Sequence, residues 1–111
     1  TNNTLVIEAA GGLYVPLNEK DMMLDLIHPT DKVILVSRHY LGSINHTLLT
    51  YETLKNRGLN IHSIVFSGSP TPSTEEVILH HTNLPVLLHI EEEPYFDKRV
   101  ISEYATKVNN P

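Results

Sequence analysis

A chain of 111 residues holds one compact domain and is too short for two. It is 41% hydrophobic and 19% charged, with five glycines and seven prolines, which excludes collagen-like, low-complexity and strongly disordered classes. The absence of cysteine excludes disulfides, thiolate metal sites and a thiol nucleophile, and a net charge of −5 with scattered Lys and Arg leaves no basic stripe for nucleic acid.

Four short apolar runs read as buried parallel strands in chain order. They are Leu5-Val6-Ile7, Val33-Ile34-Leu35-Val36, Ile61 to Phe66 and Val86-Leu87-Leu88. Helical signals fall between them. A short helix is expected over Asp21 to Ile27, ending before Pro29. Ile44, Leu48, Tyr51 and Leu54 recur at helical spacing from Ser43, a cap candidate, to Arg57, and Gly58 closes that helix. Ser73-Thr74-Glu75-Glu76 after Pro72 matches a capping box opening a helix toward His80. A last helix is expected from about Lys98 to Val108. The alternation predicts an α/β fold with a parallel sheet and helices on both faces. Apolar runs are far too short to span a membrane, no signal peptide is visible, and the expected location is the cytoplasm.

In open parallel sheets ligands gather beyond the carboxyl ends of the strands. The first run leads into Glu8-Ala9-Ala10-Gly11-Gly12. A carboxylate there suits a magnesium ion beside a nucleotide triphosphate, and it equally suits an acidic residue opening a solvated turn. The second leads through Ser37-Arg38-His39-Tyr40 to Gly42-Ser43-Ile44-Asn45, where bare amides at a helix start suit a carboxylate or phosphate, or simply begin an ordinary helix. The third ends at Ser67-Gly68-Ser69-Pro70, small polar residues that could border a ligand or form a turn. Glu91-Glu92-Glu93 after the fourth reads as a solvated loop. The seven histidines show no metal-ligand spacing, with His80 and His81 expected to point apart.

The segments Val6 to Leu17 and Leu41 to Thr50, in this order and with the strand Val33 to Ser37 between them, resemble the dethiobiotin synthetase family over Leu5 to about Val100. The resemblance implies a P-loop NTPase-like three-layer α/β/α fold. It implies a cytoplasmic homodimeric ligase of biotin biosynthesis that closes the ureido ring of dethiobiotin from diaminopelargonic acid, carbon dioxide and ATP, with Mg2+. Carried over by position, Glu8 resembles the magnesium ligand and catalytic carboxylate, and Ala9, Ala10, Gly11 and Gly12 the turn flanking the nucleotide. Ser67 and Gly68 resemble the segment bordering the base. Gly42, Ser43, Ile44 and Asn45 resemble the helix start that takes the substrate's distal carboxylate, shared across the dimer.

Three features depart from the family. None of the five glycines precedes a lysine, so no Gly-Lys-Ser/Thr phosphate loop is present. Ser67 stands where the family commonly carries an adenine-reading Asn, and Ala9 stands for a usual glycine. Residues 1–111 are therefore expected to form the C-terminal half of such an ATPase domain. That half is expected to be inactive without its P-loop half, whose strand the resemblance places between the Glu8 and Val33 strands. A sheet missing that strand should expose apolar surface. Two further readings stay open: a related amide-forming ATPase of cobyrinate amidase type, and a non-catalytic half-domain used for dimerisation or binding.

Overall fold

The computed structural model describes residues 3–108. Three strands, β1 (Lys32–Arg38), β2 (Asn60–Ser67) and β3 (Val86–Ile90), form one parallel sheet in the order β1-β2-β3. Parallel neighbours need crossovers, and these are α1 (Ser43–Asn56) and α2 (Pro72–Thr82). A third helix, α3 (Lys98–Thr106), follows β3. This is the α/β alternation that the pattern predicts, except that both crossover helices pack on the Leu35 face of the sheet and the expected second helical layer does not cover Ile34 and Val36 among the described residues.

Each helix end has a local cause. Gly58 adopts a left-handed φ of 70°, and the bonds Gly58 N to Lys55 O (2.9 Å) and Leu59 N to Leu54 O (3.1 Å) close α1. Asn83, at φ 55°, ends α2 in the same way. Asp97 caps α3, its side chain accepting from Val100 N at 2.9 Å. Two expected caps move. The N-cap of α1 is Gly42 and not Ser43, because the chain turns into the helix through a left-handed φ of 92° that glycine adopts freely. The capping box expected at Ser73 does not form there. Pro72, with no N–H to satisfy, takes the first helical position and makes Thr71 the N-cap. The helix expected over Asp21 to Ile27 is a single 3₁₀ turn, Met23–Leu26, with Asp25 Oδ2 accepting from Met22 N at 2.8 Å.

The core lies between the sheet and the two crossover helices. Leu35, Ile64 and Phe66 face Tyr51 of α1 and Ile78 of α2, and Ile64, Phe66 and Ile78 are essentially inaccessible. Fully burying a side chain of this kind contributes about 1.5–3 kcal/mol. β1 alternates in exposure although Val33 to Val36 is a continuous apolar run: Leu35 and Ser37 are buried, while Ile34 and Val36 are 47% and 62% exposed.

The expected first strand is absent. Leu5, Val6 and Ile7 form no regular secondary structure and are 81%, 85% and 70% exposed, and β1 pairs with β2 alone. A strand is stabilised by its neighbour's ladder and by burial of its side chains. No described strand stands beside this segment, so its apolar residues stay in solvent. Glu8 consequently sits in exposed coil and not at a buried strand end.

Candidate functional site

The carboxyl edge of the sheet carries the loops 39–42, 68–71 and 91–97. Two of the predicted segments come together beside α1. A Cβ built on Gly12 would stand 3.6 Å from His46 Nε2 in the first turn of α1, so the glycine turn after Glu8 lies against the start of that helix. Gly11 and Gly12 both take left-handed φ, 83° and 109°. Side chains there would strain the turn, so these two glycines are required by the backbone they adopt. Met23 N to Val15 O (2.8 Å) and Leu24 N to Leu13 O (3.0 Å) then fold the following segment back on itself, with Leu24 buried.

The helix start itself is open. No side chain caps α1, and Ser43 N is taken by Tyr40 O at 3.0 Å. The amides of Ile44 and Asn45 therefore belong to the uncapped first turn, the end of a helix that favours negative charge. Ser43 is buried beneath it. Tyr40 and His46 bridge this turn through a hydrogen bond between Tyr40 Oη and His46 Nδ1. One turn further, the buried hydroxyls of Thr47 and of Ser37 on β1 hydrogen-bond at 2.8 Å and pin α1 to the strand.

Ser67 and Gly68 belong to a second neighbourhood. Ser67 O accepts from His39 N at 3.1 Å, and Gly68 N donates to Ile90 O at 2.8 Å, so the ends of β1, β2 and β3 are laced together. A Cβ on Gly68 would approach Glu92 Oε1 to 3.5 Å. The acidic run is partly engaged, since Glu92 pairs with Arg38 at 3.4 Å and Glu93 accepts from Tyr104 Oη at 2.7 Å. Both residues of the Arg38–Glu92 pair are exposed, so that pair contributes little stability. The Glu93 bond, with a smaller contribution from burial, raises the Tyr104 hydroxyl above its ordinary range.

Sequence reasoning missed a partly buried cluster under these loops. Glu75 Oε2 accepts from His39 Nε2 at 2.9 Å, and Glu75 Oε1 accepts from His89 Nε2 at 2.6 Å. Both imidazoles stack with Phe66, at 5.7 and 5.6 Å between ring centroids. Burial works to raise the Glu75 carboxyl, but the hydrogen bonds from His89, His39 and Thr71 outweigh it and hold the group below its usual range. The residues lie 36 and 14 positions apart, and only the parallel register that sets Phe66 opposite His89 unites them. An open cleft of about 710 Å³ runs along α2 and β3, lined by Pro70, Pro72, Glu75, Leu79, His80 and His89. None of the sequence-predicted site residues lines it. His80 and His81, expected to point apart, instead meet edge to face at 5.3 Å. Among the described residues, no three His, Asp or Glu side chains gather as metal ligands, and no helix is long and apolar enough to cross a membrane.

A family model described as an AAA domain matches residues 1–100. The chain is 58% identical over 107 residues to the ATP-dependent dethiobiotin synthetase BioD of Christiangramia forsetii, covering 96% of this chain and 52% of that protein. This chain belongs to the dethiobiotin synthetase family. The BioD of Cytophaga hutchinsonii is 50% identical over the same shares of both chains. The biotin biosynthesis bifunctional protein BioCD of Bordetella avium is 37% identical, with 94% of this chain matching 23% of that protein. The chain thus spans about half the length of the dethiobiotin synthetases first compared. Both the Glu8 loop and the α1 start fall inside the 107 matched residues.

Proposed function

We propose that the chain serves an ATP-dependent dethiobiotin synthetase as the C-terminal half of its ATPase domain, within a cytoplasmic homodimer. Diaminopelargonic acid would take up carbon dioxide on one amine as a carbamate. ATP would phosphorylate that carbamate, and the second amine would then displace phosphate and close the ureido ring. The reading is carried by one observation: 58% identity to a protein of that name, over a stretch containing both the carboxylate loop and the helix start.

The residues present fit the groups this reaction needs. Glu8 offers an exposed hard-oxygen donor, and magnesium is commonly held by one or two carboxylates with the remaining positions filled by phosphates and water. Magnesium, when bound, would offset charge on the phosphates of ATP. Ala9, Ala10, Gly11 and Gly12 present a backbone that can approach those phosphates closely, since the two glycines add no Cβ. The uncapped turn of Gly42, Ser43, Ile44 and Asn45 would hold the distal carboxylate of the diamine through backbone amides and the α1 dipole, presented to the partner subunit. Ser67 and Gly68 would border the base. Ser67 brings one hydroxyl to that position, where an Asn amide would bring a two-donor NH2 and a carbonyl acceptor. The chain's part in this chemistry is positioning and charge stabilisation.

Phosphate release by the natural protein, followed with magnesium-ATP and bicarbonate, tests the proposal. Release should rise when diaminopelargonic acid is added. Release no greater with the diamine than without it would contradict the reading.

A further inference from the structure

Glu75 stands in the first turn of α2, yet its carboxylate reaches the roots of three different loops. Oε2 accepts from His39 Nε2 at 2.9 Å, where the chain leaves β1, and from Thr71 N at 3.4 Å, where the loop after β2 enters the helix. Oε1 accepts from His89 Nε2 at 2.6 Å, at the carboxyl end of β3. An ionised carboxylate only accepts, so both imidazoles must carry hydrogen on Nε2. His39 has little freedom to do otherwise: its side chain is 9% exposed, and its Nδ1 is buried with no hydrogen-bond partner among the described residues. A second N–H there would be an unsatisfied buried donor. Phe66, itself buried, stacks with both rings.

The three tied points lead directly to the loops assigned above. His39 precedes the N-cap Gly42 by three residues, with Tyr40 O holding Ser43 N. Thr71 closes the loop that begins at Ser67 and Gly68. His89 is followed by Ile90, whose carbonyl holds Gly68 N at 2.8 Å. We infer that Glu75 is a positioning residue that sets the spacing of the nucleotide loop and the substrate helix start by holding His39, Thr71 and His89 on one carboxylate. The inference rests on the assignment of those loops to nucleotide and diamine. Glu75 touches neither ligand on this account, so its loss should act on binding more than on the chemical step.

Glu75→Gln keeps the shape but leaves one carbonyl oxygen where two acceptors stood, so it cannot accept from both Nε2–H groups as the carboxylate does. Amide hydrogen exchange in this variant should rise about tenfold or more in residues 39–42, 68–71 and 89–92 together. Ile78→Val, a core change on the same helix, should speed exchange in α2 and leave those three loops at wild-type rates. His89→Asn, at a half-exposed position, gives a second route should Glu75→Gln fold poorly: exchange should rise at 89–92 while 39–42 stay protected. In turnover by the natural protein, Glu75→Gln should raise KM for ATP and for the diamine several-fold, with kcat within about twofold. Exchange raised only in the first turn of α2, or loosened loops with both KM values unchanged, would overturn the inference. A wild-type protein showing no turnover at all would instead overturn the functional reading, and the exchange pattern would still decide whether Glu75 ties the loops.

Discussion

Ser37 on β1 and Thr47 on α1 join hydroxyl to hydroxyl at 2.8 Å beneath the helix that opens at Gly42. Both side chains are buried, at 2% and 6% exposure, so neither hydroxyl has ready access to water. This pair fixes the rotation of α1 on the sheet. Thr47→Val keeps the shape and strands the Ser37 hydroxyl, so it should destabilise the protein by about 1–3 kcal/mol. Urea denaturation measures this directly. The double variant Ser37→Ala/Thr47→Val should recover part of the loss, because no buried hydroxyl is then left unpaired.

Gly42 makes a second stability prediction of different origin. Its left-handed φ of 92° meets open space, with nothing within 4 Å of a built Cβ. Gly42→Ala should therefore strain the backbone without a clash and cost about 1–2 kcal/mol. A fall in Tm of roughly 4–8 °C per kcal/mol is the expected reading for a domain of this size. Gly58→Ala should behave alike, since Gly58 is also left-handed and also meets nothing.

Much of the fold was legible because local chemistry and tertiary structure agree. Ile44, Leu48, Tyr51 and Leu54 mark a helix by spacing, Gly58 ends it, and Tyr51 and Leu54 are indeed buried. The apolar runs at Val33, Ile61 and Val86 each become a strand. Leu5-Val6-Ile7 carries the same local signal and forms no strand, because a strand needs a partner that composition does not reveal. The resemblance places a further strand between that segment and β1, while still expecting Leu5-Val6-Ile7 itself to be a strand. The helix start at Gly42 to Asn45 was readable from its position after a strand, though the cap shifts by one residue to the glycine. The Glu75 cluster was not readable at all. His39, Glu75 and His89 sit on three elements, and nothing in their spacing signals a common carboxylate.

Acid titration should single out Glu75. Unfolded, the group titrates near 4.5, and in the folded protein burial pushes it up while His89, His39 and Thr71 pull it lower still. A carboxyl with a depressed folded value adds stability that is complete above its unfolded value. That stability disappears as pH falls through the folded one. The stability gap between the wild type and Glu75→Gln should therefore be constant near neutral pH and shrink as pH drops below about 4.5. Denaturation curves across pH 3 to 7, on the order of the carboxylate range, measure it. A gap that widens toward low pH would contradict the assignment.

Ser67 should leave its mark on nucleotide choice. A hydroxyl can meet one edge atom of a base, whereas an Asn amide can donate and accept at once. Turnover with GTP or CTP should accordingly fall within about tenfold of that with ATP, and Ser67→Asn should widen the preference for ATP by roughly five- to tenfold, the worth of about one net hydrogen bond. Competition assays between nucleotides supply the ratio.

The central claim is that Glu8 serves the nucleotide end and the Gly42 to Asn45 turn the diamine end of a single reaction complex. Steady-state kinetics of Glu8→Gln and Asn45→Ala, with magnesium, ATP and diaminopelargonic acid varied in turn, test it most directly. Glu8→Gln should cut magnesium-dependent turnover at least about a hundredfold without unfolding the protein, while Asn45→Ala should raise KM for the diamine more than KM for ATP. Full activity of Glu8→Gln at low magnesium, or an unchanged diamine KM in Asn45→Ala, would contradict the account.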